Sequence, residues 1–214
     1  MTSTELLFRI ENIMSKTVYT IGYTGFDITS FTKKLKELGI TCLIDVRSIP
    51  IASEFYKVYS RQTLEPILKE NGILYVNFAK EFGARQPDKR FYEKYGYLDF
   101  EEFIISDEFI SGVARIKKGT SLNHRFALMC AEKDPLTCHR AIMVSRGLQQ
   151  HDLNVEHVHP DGKLEKHVEL EKRLVDLYFG PSDQVLLFDD LTYPEKLLNA
   201  YAKQNAEIGY KKQD

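Results

Sequence analysis

The chain has 214 residues, 43% of them hydrophobic and 28% charged, and its formal net charge is −2. These values are typical of a folded globular protein and exclude a disordered or fibrous chain, and a net charge so near zero gives no general attraction to nucleic acid or to an anionic membrane. No apolar run approaches the roughly 18 residues that a membrane span needs, and the N-terminus lacks the pattern of a signal peptide, so we expect a cytoplasmic protein.

Strand and helix patterns alternate along the chain. Five short apolar runs predict buried strands, at 18–21, 43–46, 73–77, 126–129 and 155–158. Amphipathic segments predict helices, at 28–38, 61–70, 100–105, 108–117, 138–150 and 164–178. Strands that alternate with helices need crossover connections, which favour a parallel sheet. The predicted fold is therefore α/β, with a Rossmann-like, open, mostly parallel sheet of about five strands flanked by helices.

Residues 17–178 are predicted to form a single α/β domain, followed by a C-terminal appendage and tail at 179–214. Inside the domain, 78–97 combines glycine and proline with basic and aromatic side chains. A loop of this length in a compact domain is usually functional, so we expect it to border an active site. In the appendage, VLLFDDL and the helix-like YPEKLLNAYAKQ are followed by NAEIGYKKQD, which is expected to be a frayed tail.

Most of the reactive side chains follow predicted strands directly. Ligands of open parallel sheets bind at the carboxyl ends of the strands, so these side chains are expected at one edge of the sheet. Asp45 and Arg47 point to the same side, and this pair either links the edge together or holds an arginine that binds an anion. The candidate ligand-binding residues are Gly22, Tyr23, Asp45, Arg47, Ser48, Arg85 and Arg140.

Two of the three cysteines lie in ALMCAEKDPLTCHRAIM, at the end of a predicted strand and the start of a predicted helix. Thr137 is the predicted N-cap, which places Cys138 in the first helical turn, where free N–H groups favour a thiolate. We therefore predict that Cys138 is a nucleophile or redox thiol and that Cys130 is its resolving partner. Glu132 or His139 is the predicted proton-transfer group.

Other interpretations of the cysteines stay open at the level of the sequence. One alternative is that both cysteines of the motif only pack at a tight strand-to-helix junction. A metal site is not predicted, because seven residues separate the two cysteines and this is not a zinc-knuckle spacing. The C-x₅-R loop of thiol phosphatases is absent as well, and no cofactor can be named. Cys42, at the opposite end of the sheet, is expected to be structural.

The short turn between the two cysteines makes a geometric prediction. A strand that ends at Cys130 and a helix that begins at Cys138 place both sulfurs over one pocket, less than about 10 Å apart. A bound sulfate or phosphate is expected within reach of Arg47, Arg140 and the first N–H groups after Thr137.

Four segments resemble the domain of unknown function 488 family: TIGYTGF, LIDVRSIP, GILYVNFAKEFGARQPD and ALMCAEKDPLTCHRAIMVSRGLQQHDLNVEHVHPDGKLEKH. The resemblance runs from about Thr17 to Leu174 and implies an α/β domain of uncharacterised activity, whose cysteine motif points to an enzyme. The chain departs from the family pattern after DVRSIP, where it reads IASEFYK, and at GAR, where GGR is usual. The matching positions are Gly22, Asp45, Arg47, Ser48, Pro50, Gly83, Cys130, Glu132, Cys138, His139 and Arg140.

Two functions are compatible with these patterns. The first is a cytoplasmic enzyme whose cysteine-containing edge site binds an anionic small molecule or nucleotide. A nucleic-acid-like ligand is a further option for this site, although the net charge does not support nucleic acid as the partner, and no membrane partner is expected. The second is a non-catalytic module that binds an anion or a partner protein and in which the cysteines are structural.

Overall fold

The computed structural model describes residues 17–92, 94–181 and 191–211. Six strands in this part of the chain form one sheet, in the order β3-β2-β4-β1-β5-β6. All neighbouring strands are parallel except β5 and β6, which are antiparallel. The strands are Thr17–Gly22 (β1), Cys42–Asp45 (β2), Leu74–Asn77 (β3), Phe126–Cys130 (β4), Asn154–Val158 (β5) and Leu164–Lys166 (β6). The predicted α/β fold with an open, mostly parallel sheet is confirmed.

Helices connect the strands and cover both faces of the sheet. They are Ile28–Glu37 (α1), Arg61–Glu70 (α2), Ala79–Phe82 (α3), Phe100–Ile104 (α4), Asp107–Ser121 (α5), Arg146–Gln149 (α6), His167–Phe179 (α7) and Tyr193–Ile208 (α8). A π-helical segment, Arg140–Ser145, leads directly into α6. Within the described ranges, no helix has the length and apolar character needed to cross a membrane.

The sheet has a hydrophobic core on each face, because successive strand residues point to opposite sides. Along β4, Leu128 and Cys130 belong to the larger core, which includes residues of α4, α5, α7 and α8. Ala127 and Met129 belong to the other core, which includes residues of α1 and α2. Cys130 is therefore the last β4 residue on the face that carries the C-terminal helices.

The predicted helix at 164–178 starts three residues later than expected. A turn after His159, in which Gly162 has a φ of +83°, reverses the chain, and His159 N–H donates to the carbonyl of Lys163. Leu164–Lys166 is thereby placed antiparallel to β5 as β6, and α7 begins at His167. The apolar periodicity of the segment did not reveal this extra edge strand.

The expectation that residues 205–214 form a frayed tail is wrong for the first of these residues. Helix α8 continues to Ile208, because Asn205 is buried and its side chain bonds to the N–H of Phe100 at 3.0 Å and to the carbonyl of Leu98 at 2.9 Å. Tyr201 of the same helix is a core residue. The VLLFDDL segment lies, except for its last residue, outside the described residues, as do residues 1–16 and 212–214.

A chain of hydrogen bonds links the sheet to α7 and α8, and we call Thr20, His157, His167, Tyr201 and Glu171 the histidine chain. Thr20 Oγ1 lies 2.7 Å from His157 Nδ1, and His157 Nε2 lies 2.9 Å from His167 Nδ1. His167 Nε2 lies 2.9 Å from the hydroxyl of Tyr201, which donates to Glu171 at 3.0 Å. All donors point the same way if both rings are neutral and carry their proton on Nε2.

Candidate functional site

The carboxyl ends of the central strands form one edge of the sheet, with a cleft above them. Gly22 at the end of β1 pairs with Cys130 of β4, and Asp45 at the end of β2 pairs with Met129. The cleft has a volume of about 330 Å³. Its lining residues are Tyr23, Arg47, Ser48, Ile49, Ile51, Ala84, Arg85, Cys130, Ala131, Glu132, Thr137, His139, Ile208 and Tyr210.

The loop after β4 packs directly onto Gly22. A Cβ atom at Gly22 would lie 1.8 Å from the carbonyl oxygen of Glu132, so only glycine fits at this position. Thr24 fixes the same loop, because its N–H and its hydroxyl both donate to the carbonyl of Ala131, at 3.1 Å and 2.7 Å. The predicted site residue Gly22 therefore has a steric role: because it lacks a side chain, the loop can approach β1.

Arg140 holds the loop after β4 by hydrogen bonds to its backbone. Its side chain is fully buried, and its Nη1 donates to the carbonyl of Glu132 at 2.7 Å, while Nη2 contacts the carbonyl of Lys133 at 3.4 Å. Arg140 is absent from the cleft lining. Arg140 therefore positions the loop and places a buried guanidinium beside it, and its predicted contact with an anion stays a prediction.

Four reactive side chains converge beside this loop, and we call Cys130, Glu132, Cys138 and His139 the sulfur cluster. The two sulfurs and His139 Nδ1 all lie within 4.8 Å of one another, so the predicted proximity of the cysteines is confirmed. Nδ1 is 3.8 Å from the sulfur of Cys130 and 3.9 Å from that of Cys138. Cys138 Sγ lies 2.8 Å from Glu132 Oε2, which requires a proton between these two atoms. Both cysteines are free thiols.

Cys138 occupies a different helical position from the one predicted. Thr137 is the last residue of a 3₁₀ turn, Pro135–Thr137, that is capped by Asp134. Cys138 has extended backbone angles, with φ −132° and ψ 135°, and its carbonyl accepts from the N–H groups of Ala141 and Ile142. Its sulfur accepts from the N–H of Arg140 at 3.4 Å. Cys138 thus caps the helix itself, because the proline turn ends one residue too late for Thr137 to do so.

The ring orientation of His139 is fixed by the backbone. Its Nε2 lies 3.0 Å from the carbonyl oxygen of Val46, just beyond β2. A carbonyl can only accept, so Nε2 carries the proton and, in the neutral ring, Nδ1 presents a lone pair to the two sulfurs.

Burial and mutual hydrogen bonding separate the pKa values within the cluster. Burial raises the pKa of Cys138, but a hydrogen bond from Cys130 and the positive charges of Arg140 and His139 outweigh it and hold this pKa well below its usual value. The hydrogen bond to Cys138, together with burial, raises the pKa of Cys130. Burial also raises the pKa of Glu132. The metal-free cluster thus favours a thiolate on Cys138.

Asp45 and Arg47 form a buried bidentate pair at the same edge. Arg47 Nε donates to Asp45 Oδ1 at 2.9 Å, and Nη2 donates to Oδ2 at 2.6 Å. Nη2 also donates to the carbonyl of Tyr59 at 2.9 Å, and Tyr75 donates to Asp45 at 2.6 Å. Arg47 Nη1 is buried and makes no hydrogen bond to the described residues. The pair connects the ends of the strands at this edge, and Arg47 contributes its guanidinium to the lining of the cleft.

Arg85 is the exposed cation of the cleft. Its guanidinium stacks on the ring of Tyr210 at 4.5 Å, and its backbone N–H donates to Ser48 Oγ at 2.8 Å. The expectation that the 78–97 loop borders the site therefore has a geometric basis. Sequence reasoning missed Ile208 and Tyr210, which line the cleft from the C-terminus and carry no local signal of a site.

Tyr23 closes the inner side of the cleft. Its ring stacks on Tyr59 with the centroids 4.6 Å apart, and the guanidinium of Arg47 lies 5.2 Å from its centroid. Burial raises the pKa of Tyr23, although the charge of Arg47 partly opposes this. The phenol therefore stays neutral and contributes an apolar, aromatic wall.

One family model matches the chain, and it is described as Domain of unknown function DUF488. The match covers residues 27–146, which is more than half of the chain and includes Asp45, Arg47 and the whole sulfur cluster, whereas Gly22 and Tyr23 lie before it. Comparisons with curated proteins and with solved structures gave no match. The chain therefore belongs to the domain of unknown function 488 family.

Proposed function

We propose that this protein is an enzyme whose reaction centre is the sulfur cluster and whose substrate is an anionic small molecule bound in the adjacent cleft. The observation that carries the proposal is the convergence of two thiols, an imidazole and a carboxyl group beside that cleft, which Cys130, Glu132 and His139 line directly. The cleft lies at the carboxyl ends of parallel strands, where open α/β sheets bind their ligands.

The composition of the sulfur cluster exceeds what packing needs. A tight strand-to-helix junction can be filled by small apolar residues, whereas a buried carboxyl group and imidazole cost free energy of desolvation. The pKa of Glu132 is raised and that of Cys138 is lowered, and opposed shifts between neighbouring groups are common where protons are exchanged during catalysis.

We propose roles for the two cysteines that differ from those predicted from the sequence. Cys130 lines the cleft, whereas Cys138 lies behind it and is absent from the lining. We assign Cys130 as the sulfur that meets the ligand and Cys138 as the thiolate that accepts its hydrogen bond. Glu132 also lines the cleft and is the group placed to exchange a proton with solvent or ligand.

The cleft chemistry favours a small anion. Arg85 offers an exposed guanidinium, and Arg47, whose charge is paired with Asp45, adds an Nη1 that makes no hydrogen bond to the described residues. Exposed apolar side chains, Ile49 and Ile51, lie beside them. A volume of about 330 Å³ is at the lower end of the range for small-molecule sites, so a phosphate-bearing molecule no larger than a nucleotide suits this cleft. A cytoplasmic location stays a prediction.

Alkylation of the native protein tests the reaction centre. Reduced, chelator-treated protein is reacted with iodoacetamide, and the modified cysteines are located by peptide mass spectrometry. Cys42 is the internal control, because it is as buried as the other two, with 2% exposure against 3% for Cys130 and 1% for Cys138, and burial raises its pKa to about 12. We expect Cys130 or Cys138 to react at least about tenfold faster than Cys42, and inorganic pyrophosphate to slow this reaction.

The rival function predicts a different result. If all three cysteines react only at the rate of global unfolding, the thiols are structural, and the protein is better described as a non-catalytic anion- or partner-binding module. The buried position of both thiols is the observation on which this second reading rests.

A further inference from the structure

We propose that Cys130 Sγ, Cys138 Sγ and His139 Nδ1 bind a thiophilic divalent cation of the zinc class, with the fourth coordination position facing the cleft. This deepens the proposed function and rests on it for the role of the ion, which would present an electrophilic position to the anionic ligand.

The spacing of the donor atoms fits such an ion. Zinc binds thiolate sulfur at about 2.3 Å and imidazole nitrogen at about 2.0 to 2.1 Å in tetrahedral geometry, which places sulfur and nitrogen ligands roughly 3.6 Å apart and two sulfurs roughly 3.8 Å apart. The observed sulfur-to-nitrogen distances are 3.8 Å and 3.9 Å, and all three donor atoms lie within 4.8 Å of one another. Small side-chain adjustments therefore suffice to close the site.

The imidazole is already oriented as a metal ligand. The carbonyl of Val46 accepts from Nε2 of His139 at 3.0 Å, which leaves the Nδ1 lone pair directed at the sulfurs. Metal-bound histidines generally donate their second N–H to a carbonyl or carboxylate in this way, because the bond fixes the tautomer and the ring plane.

Buried positive charge favours the deprotonated ligands. Buried thiolates need cations close by, and among the described residues the fully buried guanidinium of Arg140 is held at the loop of the cluster by its 2.7 Å hydrogen bond to the carbonyl of Glu132. A divalent ion supplies the remaining charge. The linear spacing of the cysteines is not that of a zinc knuckle, but here the third ligand comes from the helix start beside Cys138 and not from a second cysteine pair.

Glu132 controls the fourth position. Its Oε2 lies 2.8 Å from Cys138 Sγ, and its side chain lines the cleft together with Cys130 and His139. The carboxylate can therefore occupy the open position in the resting protein and leave it when an anion enters. Three protein ligands with one exchangeable position are the arrangement of catalytic zinc sites.

Cobalt provides a direct probe of this site. The full chain is reduced, freed of metal with a chelator and titrated with Co²⁺. We expect one ion per chain, with thiolate-to-cobalt charge-transfer absorption in the near ultraviolet and the intense visible bands of a tetrahedral cobalt centre. Zn²⁺ should displace the Co²⁺ and should slow alkylation of Cys130 and Cys138 at least about tenfold, because metal-bound thiolates are less available.

Single substitutions distinguish the proposed metal ligands from residues that do not bind the ion. Cys138→Ser and His139→Ala should abolish the charge-transfer absorption, Glu132→Gln should keep it with weaker binding, and Cys42→Ser, the matched removal of a buried thiol, should leave it unchanged. Absence of the absorption in the wild-type chain, or its persistence in Cys138→Ser, overturns the metal site. If alkylation of the chelator-treated protein still proceeds faster than at Cys42, the metal site alone fails, and the proposed function stands.

Discussion

The histidine chain and the sulfur cluster, both found among the described residues, are buried polar networks that are built in opposite ways. In the histidine chain, both ring nitrogens of His157 and of His167 have partners at 2.7 to 2.9 Å. In the sulfur cluster, Nδ1 of His139 faces two sulfurs at the longer distances of 3.8 Å and 3.9 Å. The ring nitrogens of the first network are all hydrogen-bonded within it, whereas the second lies beside the cleft at the carboxyl ends of the strands.

The difference separates a structural network from a reactive one. A fully satisfied network in the core gains nothing from a further ligand, and it holds α7 and α8 on the sheet. A cluster with long contacts and displaced pKa values beside a cleft retains binding capacity for a proton, an ion or a substrate. Burial of a histidine therefore says little about its role until the partners of both nitrogens are known.

The largest expected effect comes from the loop that carries the sulfur cluster. Gly22→Ala places a Cβ atom 1.8 Å from the carbonyl oxygen of Glu132, so the loop must move, and we expect a loss of about 3 kcal/mol or more in the free energy of unfolding, measured in urea. Thr24→Ala, the control, removes one hydrogen bond to the same loop and should cost about 1 kcal/mol. Equal stability of Gly22→Ala and wild type would contradict the close packing of loop and strand.

The next largest effect is expected from acid, which should lower the stability that the histidine chain contributes. Burial lowers the pKa of both rings, to about 3 for His167, where Arg146 adds to the effect. Because the unfolded histidines titrate near 6.5, the unfolded state gains protons first, so this stability is present above about pH 6.5 and is lost as the pH falls toward the folded pKa. From pH 7 to pH 5 the two rings should account for roughly 3 to 4 kcal/mol of lost stability.

A variant isolates this contribution from that of the carboxyl groups. His167→Gln removes one of the two titrating rings. The loss of unfolding free energy between pH 7 and pH 5, measured by urea unfolding at each pH, should therefore fall by about half of the amount that the two histidines contribute. An unchanged pH dependence would show that the rings do not stay neutral in the folded protein.

Tyr201→Phe should have a smaller effect that is confined to the histidine chain. His167 Nε2 would lose its acceptor and Glu171 its donor, at a cost of about 1 to 2 kcal/mol in unfolding free energy. Tyr178→Phe, which loses a single bond to Gln204 at a more exposed site, should cost less. The alkylation rates of Cys130 and Cys138 should not change, and altered rates would show that the two networks are coupled.

Arg85→Ala should have the smallest effect on stability and a clear effect on binding. Arg85 is exposed and contacts the folded chain through a stacked ring, so the unfolding free energy should stay within about 0.5 kcal/mol of wild type. Loss of its charge should weaken binding of inorganic pyrophosphate about tenfold, measured by calorimetry. Arg90→Ala, which removes an exposed arginine of the same segment outside the cleft lining, should bind as wild type does.

Local patterns were sufficient for much of the fold. All five predicted strands are present, because short apolar runs bounded by turn residues specify a buried parallel strand. The edge strand β6 was missed, since three residues carry too little periodicity and pair only after the turn at Gly162 reverses the chain. The helix at Tyr193–Ile208 was anticipated, but its extent was not, because burial of Asn205 depends on contacts with Leu98 and Phe100.

The site could be located from sequence more readily than its roles could be assigned. The rule that parallel strands end at one edge brought Cys130, Arg47 and Gly22 together correctly. The roles of these residues depend on the direction of their side chains. The guanidinium of Arg140 points to the loop carbonyls, and Cys138 lies behind the cleft. The contribution of Tyr210 arises from a contact between distant parts of the chain, which no local pattern encodes.

The most direct test of the central claim is the position of a bound anion in a crystal structure of the full chain grown with inorganic pyrophosphate. We expect density in the cleft, in contact with the guanidinium of Arg85 and extending to the edge of the sulfur cluster at Cys130 and His139. An anion bound only at another surface, with the cleft free of it at a saturating concentration, would contradict the assignment of this cleft and the sulfur cluster as the functional site.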